Sequence, residues 1–177
     1  MEIREANLAD AKAITSVHVG SERAAYRGIL PDIVLDSLSI EKQEAAWHDR
    51  IAAARFNTVV AAEDGDIVGW INFGRSRDHD SLPTTAEVLA MYVSSHRFRR
   101  GVGTALWEHS RAFLQKAGYS EVTLWVLELN YRARQFYEKI GFKLDRGQKT
   151  VERGSKTFNV VRYRYMLQAV YRKHEVP

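Results

Sequence analysis

A short turn between two regular segments constrains this chain more than any other feature: Arg97-Phe98-Arg99-Arg100-Gly101-Val102-Gly103-Thr104. Before it, Glu87 to Val93 is an apolar, β-prone run that reads as a buried strand. After it, Val102, Leu106, Phe113 and Ala117 recur along one face of an expected helix, which Gly118 ends as a C′ glycine. A helix start leaves backbone N–H groups without partners at the positive end of the helix dipole. Gly101 and Gly103 place no Cβ in front of these groups, and Arg97, Arg99 and Arg100 add mobile positive charge. Such a turn is suited to a pyrophosphate. It is not the dinucleotide fingerprint, because Ser94 to Arg100 separate strand from glycines and Leu106 stands where the third glycine belongs. Nor is it a P-loop, since no Gly-Lys-Ser/Thr follows.

The elements around the turn alternate. Ile3 to Ala6 predicts a first strand, and Asn7, with Asp10 three residues on, caps a helix carrying Ala11, Ile14 and Val17. A second helical piece is expected over Glu22 to Tyr26, broken at Gly28 and Pro31. Ser39 caps another helix with Ala46, Trp47 and Ile51. Thr58–Ala62 and Ile67–Phe73 are strands joined by the hairpin signal Asp64-Gly65. A polar loop, Arg75 to Thr85, leads into the strand before the turn. Glu121 to Leu129 is apolar enough for a central strand covered on both faces. Asn130 then caps a short helix with Ala133, Phe136, Tyr137 and Ile140, stopped by Gly141. Phe142–Glu152 and Lys156–Leu167 form a closing hairpin through Arg153-Gly154-Ser155. In its second strand Val161, Tyr163, Tyr165 and Leu167 alternate with Arg162, Arg164 and Met166. Hairpins at both ends of an alternating chain require a mixed sheet, here of six or seven strands flanked by helices, hence an α/β fold. An edge strand near Tyr163–Leu167 would offer pairing to a second copy and so a homodimer.

Composition narrows the function. At 177 residues, 45% apolar and 27% charged, the chain has the size of one domain, expected over residues 1–170 with a tail at 171–177. A net charge of +4 suits an anionic ligand, yet Lys and Arg are spread along the chain rather than clustered, so no nucleic-acid partner is expected. The absence of Cys removes thiolate nucleophiles and thiolate metal sites. His18, His48, His79, His96, His109 and His174 show no i, i+3 or i, i+4 pairing, so no metal is expected. Met1 to Glu5 lacks the apolar core of a signal peptide, and no apolar run approaches the roughly 18 residues that span a membrane. A cytoplasmic location without a membrane partner is the expectation.

Asn130-Tyr131-Arg132-Ala133-Arg134-Gln135-Phe136-Tyr137-Glu138-Lys139-Ile140-Gly141-Phe142 supplies a second motif. Together with the glycine turn it resembles the GNAT superfamily of acetyl-CoA-dependent N-acetyltransferases, whose members carry R/Q-x-x-G-x-G/A and then N-x-x-A-x-x-F-Y-x-x-x-G-F. The second pattern is matched at Asn130, Ala133, Phe136, Tyr137, Gly141 and Phe142, the first at Gly101 and Gly103. Phe98 departs from it, standing where Arg or Gln is usual, while Arg97, Arg99 and Arg100 around it keep the field positive.

The resemblance implies a single-domain acyl-CoA N-acyltransferase fold in which the strand of Val88–Val93 splays from that of Val122–Leu127. Pantetheine would lie in the slot, pairing with the backbone of Met91 and Val93 beside Tyr92, and the pyrophosphate on the amides of Arg99, Arg100, Gly101, Val102, Gly103 and Thr104. Asn130, with Ala133 and Phe136 on its helix, would reach the pantetheine arm or a phosphate, or act as a plain N-cap. Acetyl-CoA is the implied donor and a primary amine the acceptor, either a small molecule or a peptide or protein amine. A non-catalytic acyl-CoA-binding module is the reading from another class.

Tyr137 is the candidate acid for the departing thiolate, since phenol and thiol have neighbouring reference pKa values. Glu87 is the candidate base, because simple alternation puts it on the face of Leu89, Met91 and Val93. A backbone N–H of Met91 or Val93 would hold the oxyanion. Tyr26-Arg27-Gly28 and the loop Arg75–Thr85 fall where the family builds its acceptor site, and Trp125 could border that pocket. Asp78 and Asp80, in the polar loop, could attract a cationic amine.

Overall fold

The computed structural model describes residues 1–168, so the expected tail at 171–177 lies outside the described residues. Seven strands form one mixed sheet: β1 (Glu2–Glu5), β2 (Asn57–Glu63), β3 (Asp66–Arg75), β4 (Thr85–Val93), β5 (Glu121–Leu127), β6 (Lys143–Arg153) and β7 (Lys156–Met166). Their spatial order is β1-β2-β3-β4-β5-β7-β6, with β4 and β5 the parallel pair. The helices are α1 (Ala11–Tyr26), α2 (Asp32–Asp36), α3 (Ile40–Ala53), α4 (Val102–Lys116) and α5 (Tyr131–Lys139).

Asn7 and Asp10 form a reciprocal capping box, first over a 3-10 turn that runs directly into α1. One continuous helix replaces the two pieces expected before Gly28. Gly20 costs that helix roughly 1 kcal/mol of propensity, but Ile14, Val17, Val19 and Ser21 are buried on both sides of it, and their packing carries the helix through. The short α2 had no periodic signal and was not expected. Ser39 caps α3 as expected, its Oγ accepting from the Lys42 N–H.

Two cores lie on opposite faces of the sheet. α1 and α3 cover Val60 and Trp70 with Ala11, Ile14, Val17 and Trp47. α4 covers Val59, Ile71 and Phe73 with Val102, Leu106, Trp107 and Leu114. The buried stripe of α4 therefore passes through Trp107 and Ser110, while Phe113 is 39% exposed. Ser110 can lie there because its hydroxyl donates to the Leu106 carbonyl at 2.9 Å and so is not left unpaired. The expected stripe through Phe113 and Ala117 was thus rotated by its apolar bias.

β7 lies between β5 and β6, so the edge strands of the sheet are β1 and β6, and β6 meets the stretch Tyr163–Leu167 at Tyr163 and Arg164. Tyr165 and Met166 pair with β5 beyond the start of β6. Arg162, on the side of β7 that alternation reads as exposed, is buried among carboxylates instead.

Candidate active site

β4 and β5 pair only where Thr85–Val88 lies beside Glu121–Leu124. Beyond that point they separate, and a cleft of about 1030 Å³ opens between Leu89–Val93 and Trp125–Leu127. A β-bulge in β4 marks the divergence: Asn72 pairs with Ala90 and Phe73 with Val88, leaving Leu89 as the extra residue. Past the bulge, the Ser94 N–H bonds the Val68 carbonyl on the β3 side. Strand alternation therefore turns the main-chain groups of Met91 and Val93 toward the cleft. The Val93 carbonyl already accepts from Ser21 Oγ at 2.7 Å. A β-like ligand would consequently find the Met91 N–H and C=O and the Val93 N–H.

The bulge also corrects the placement of Glu87. Glu87 pairs opposite Gly74 on the face that carries Ala90 and Tyr92, not on that of Met91 and Val93. This is the α1 face of the sheet. Glu87 is buried there at 2% exposure, and its carboxylate is held on both oxygens by Arg77: Nη2 to Oε1 at 2.6 Å, Nε to Oε2 at 3.0 Å. The Arg77 main-chain N–H also donates to Oε2 at 3.1 Å.

At the far end of the cleft the chain turns through Arg99 (φ 62°) and Gly101 (φ 85°), both left-handed, and enters α4. Ala105 is the first residue of α4 to bond back, to the Gly101 carbonyl at 2.9 Å, so the N–H groups of Val102, Gly103 and Thr104 remain for a ligand. A Cβ at Gly101 would meet no atom within 4 Å. One at Gly103 would meet Phe136 Cζ at 3.1 Å. The two glycines therefore serve different ends, backbone conformation at Gly101 and close approach of α5 at Gly103. The Arg132 guanidinium lies 4.1 Å from the centroid of the Phe98 ring, within cation–π range, and lines the cleft.

Asn130 caps α5, its Oδ1 accepting from the Ala133 N–H at 3.2 Å, and lines the cleft. Tyr137 packs between Phe136 and Phe142 with ring centroids 5.5 and 5.8 Å away. Burial, reinforced by the nearby Tyr26, holds the Tyr137 phenol above its ordinary pKa, so it carries its proton at rest. Burial likewise raises Tyr26 and Tyr92, which share the same wall. The dry slot penalises a thiolate by the same means, so it does not by itself separate phenol from thiol.

Most of the expected residues line this one cleft: Glu87, Met91, Tyr92, Val93, Arg99 and Gly101 to Thr104 from the first motif, and Asn130, Ala133, Phe136 and Tyr137 from the second, together with Tyr26 and Trp125. Arg27 and Arg100 are not among its walls; Arg27 borders a separate depression with Asp32 and Lys156. Asp78 and Asp80 do not offer free charge. Arg162 donates to Asp80 at 2.7 and 2.8 Å and to Asp78 at 3.3 Å, and Trp125 Nε1 donates to Asp78 at 3.0 Å. Sequence reasoning missed Arg77, Arg132 and Lys149 as wall residues. Arg132 lay inside the second motif, but nothing in the polar loop singled out Arg77, and Lys149 is one of many charges on β6. No group of His, Asp and Glu able to hold a metal occurs among the described residues.

Comparison with known proteins agrees with this geometry. The model of the "Acetyltransferase (GNAT) family" matches residues 24–142. The uncharacterised N-acetyltransferase YuaI of Bacillus subtilis is 36% identical over 128 residues, 72% of each chain. A spermidine N(1)-acetyltransferase of Thermoplasma acidophilum is 24% identical over 150 residues, 82% of this chain and 89% of that one. In fold, the chain resembles the PaiA N-acetyltransferase of Thermoplasma acidophilum, solved in complex with coenzyme A: TM-score 0.72 at 22% identity, covering 93% of this chain and 98% of the other.

Proposed function

The chain belongs to the acetyltransferase (GNAT) family, and from that premise we propose that it moves an acetyl group from acetyl-CoA to the primary amine of a small molecule within one ternary complex. One observation carries this reading: the open, cleft-facing backbone of β4 runs straight into the N–H cradle at Gly101–Thr104, with Tyr137 on the same wall. An extended pantetheine arm ending in a pyrophosphate has that shape, a β-pairing segment followed by an anion. Leu30 and Leu35 pack on Leu127 and Val160, which narrows the acceptor side and supports a small acceptor over a protein surface.

The chemistry follows from the groups present. The amine nitrogen bonds to the acyl carbon, the carbon–sulfur bond breaks, and the sulfur takes a proton from Tyr137. The nitrogen gives up its surplus proton and returns Tyr137 to the phenol. Glu87 is the proposed acceptor of the first ammonium proton, directly or through water, which then leaves to solvent. The Met91 and Val93 N–H groups would take the charge that grows on the acyl oxygen.

Tyr137→Phe keeps the ring and removes only the proton. It is expected to lower kcat about tenfold or more, the scale of general acid catalysis, with coenzyme A affinity nearly intact. Thiol release at saturating amine and acetyl-CoA measures it, and unchanged turnover would remove Tyr137 from the mechanism.

A further inference from the structure

We propose that the acceptor is a zwitterion of the amino-acid type, with a carboxylate or similar anion one or two bonds from the carbon bearing the nucleophilic nitrogen. The inference rests on the acetyl-transfer reading above and names the substrate class of that same site. It comes from the charges around Glu87.

Glu87 pairs beside Thr123, and alternation puts Trp125 on the same face of the sheet. Arg77, Asp78 and Trp125 join the two: Arg77 grips Glu87, and the next residue accepts from the Trp125 indole. Lys149 Nζ lies 3.8 Å from the centroid of the Trp125 ring, and Arg153 lines the same end of the cleft. Neither Lys149 nor Arg153 has a carboxylate within 4.0 Å among the described residues. Neighbouring carboxylates hydrogen-bond elsewhere: Arg162 donates to Asp78 and Asp80, and Glu22 lies 3.2 Å from His18. The acceptor end thus brings a buried carboxylate together with two cations, Lys149 and Arg153, that form no ion pair among the described residues.

The Arg77–Glu87 pair is asymmetric in a way that matters. Its carboxylate side chain is 2% exposed and its guanidinium side chain 55% exposed, so the cation is the partner able to move. If Arg77 swings away, its own main-chain N–H still holds Glu87 Oε2, and the carboxylate keeps its place. A zwitterion entering between them replaces both partners at once: its ammonium takes the guanidinium's place on Glu87, and its anion takes Arg77 and Lys149. A polyamine would displace Arg77 from Glu87 without supplying an anion in the carboxylate's place, which opposes binding. An amine without an anion would leave Arg77 unsatisfied as well. The same exchange places the ammonium against the carboxylate proposed to receive its proton.

The test uses the full chain, acetyl-CoA and matched trios of acceptors: an L-amino acid, its α-amide and its decarboxylated amine, across several side chains, with spermidine and dipeptides added. Thiol release is expected with kcat/KM at least tenfold higher for some free acid than for its amide and amine. Lys149→Gln, an exposed substitution, is expected to raise KM for that acid at least tenfold, with a smaller change in kcat. Arg77→Gln should do the same, and Arg77→Lys should recover part of the loss. Equal or better turnover of amides, plain amines, spermidine or dipeptides overturns the zwitterion and leaves acetyl transfer standing. Absence of turnover with every amine, in protein that coenzyme A stabilises against heat, would overturn acetyl transfer itself.

Discussion

Phe98 occupies the place where Arg or Gln is usual in the family, and a cation from another element lies over its ring. Arg132, two residues into the second motif, lays its guanidinium on the Phe98 ring at 4.1 Å. We propose that the Phe98 ring positions Arg132 to make the phosphate contact that the usual side chain would make. Arg132→Ala is therefore expected to weaken coenzyme A about tenfold, or ~1.4 kcal/mol, the scale of one charge-assisted contact to an anion. Calorimetric titration with coenzyme A reads this directly; an unaltered Kd would mean that Arg132 only shields Phe98.

Among the elements, the contact between α4 and α5 decides whether the two motifs act as one site. Gly103 lets the first turn of α4 approach Phe136, and Phe136 in turn packs against Tyr137. Alanine at position 103 would gain up to ~1 kcal/mol of helix propensity but lose ~1–3 kcal/mol to overpacking against the ring. The net expectation for Gly103→Ala is a destabilisation of ~1 kcal/mol together with a raised KM for acetyl-CoA, read from urea unfolding and initial rates. A more stable variant with unchanged KM would show that α5 can shift freely. The β4 bulge is the other element-level device. By inserting Leu89 it turns Glu87 to the face of Ala90 and Tyr92, while the main-chain groups of Met91 and Val93 face the cleft.

Across the whole molecule, Arg162 fastens the polar loop to the distal half of the sheet. It binds Asp78 and Asp80 of the loop and Asp145 of β6, and Asp78 also fixes Trp125. The Arg162 side chain is only 9% exposed, so its removal would leave three carboxylates facing one another. Arg162→Met is expected to cost ~3 kcal/mol at pH 7, the scale for breaking a buried ion group. The Arg162 hydrogen bonds, net of a small burial penalty, lower Asp80 to about 2, below the ordinary carboxylate. Folding therefore favours its ionised form. That contribution is complete above the unfolded pKa near 4 and fades as pH falls toward about 2. Urea unfolding from pH 5 to pH 2 should show a shallower loss of stability in Arg162→Met than in the parent. Equal slopes, or a change under ~0.5 kcal/mol at pH 7, would mean that the network is not a stabilising one.

The order of strands and helices, the hairpins at both ends and the glycine turn were legible in the sequence, because each rests on local periodicity or on a backbone demand that neighbouring residues reveal. So was the pairing of the two motifs that identifies the cofactor end. The continuity of α1, the buried stripe of α4 and the interior position of β7 were not, because packing partners distant in sequence decide them. The same holds for the charge balance of the acceptor end. Asp78, Asp80, Arg77 and Lys149 are solvated charges when read along the chain, and only the fold determines which are consumed by Arg162, which grips Glu87 and which stays available. Backbone recognition of the cofactor follows from local geometry, whereas recognition of the acceptor depends on charges brought together from four separate segments.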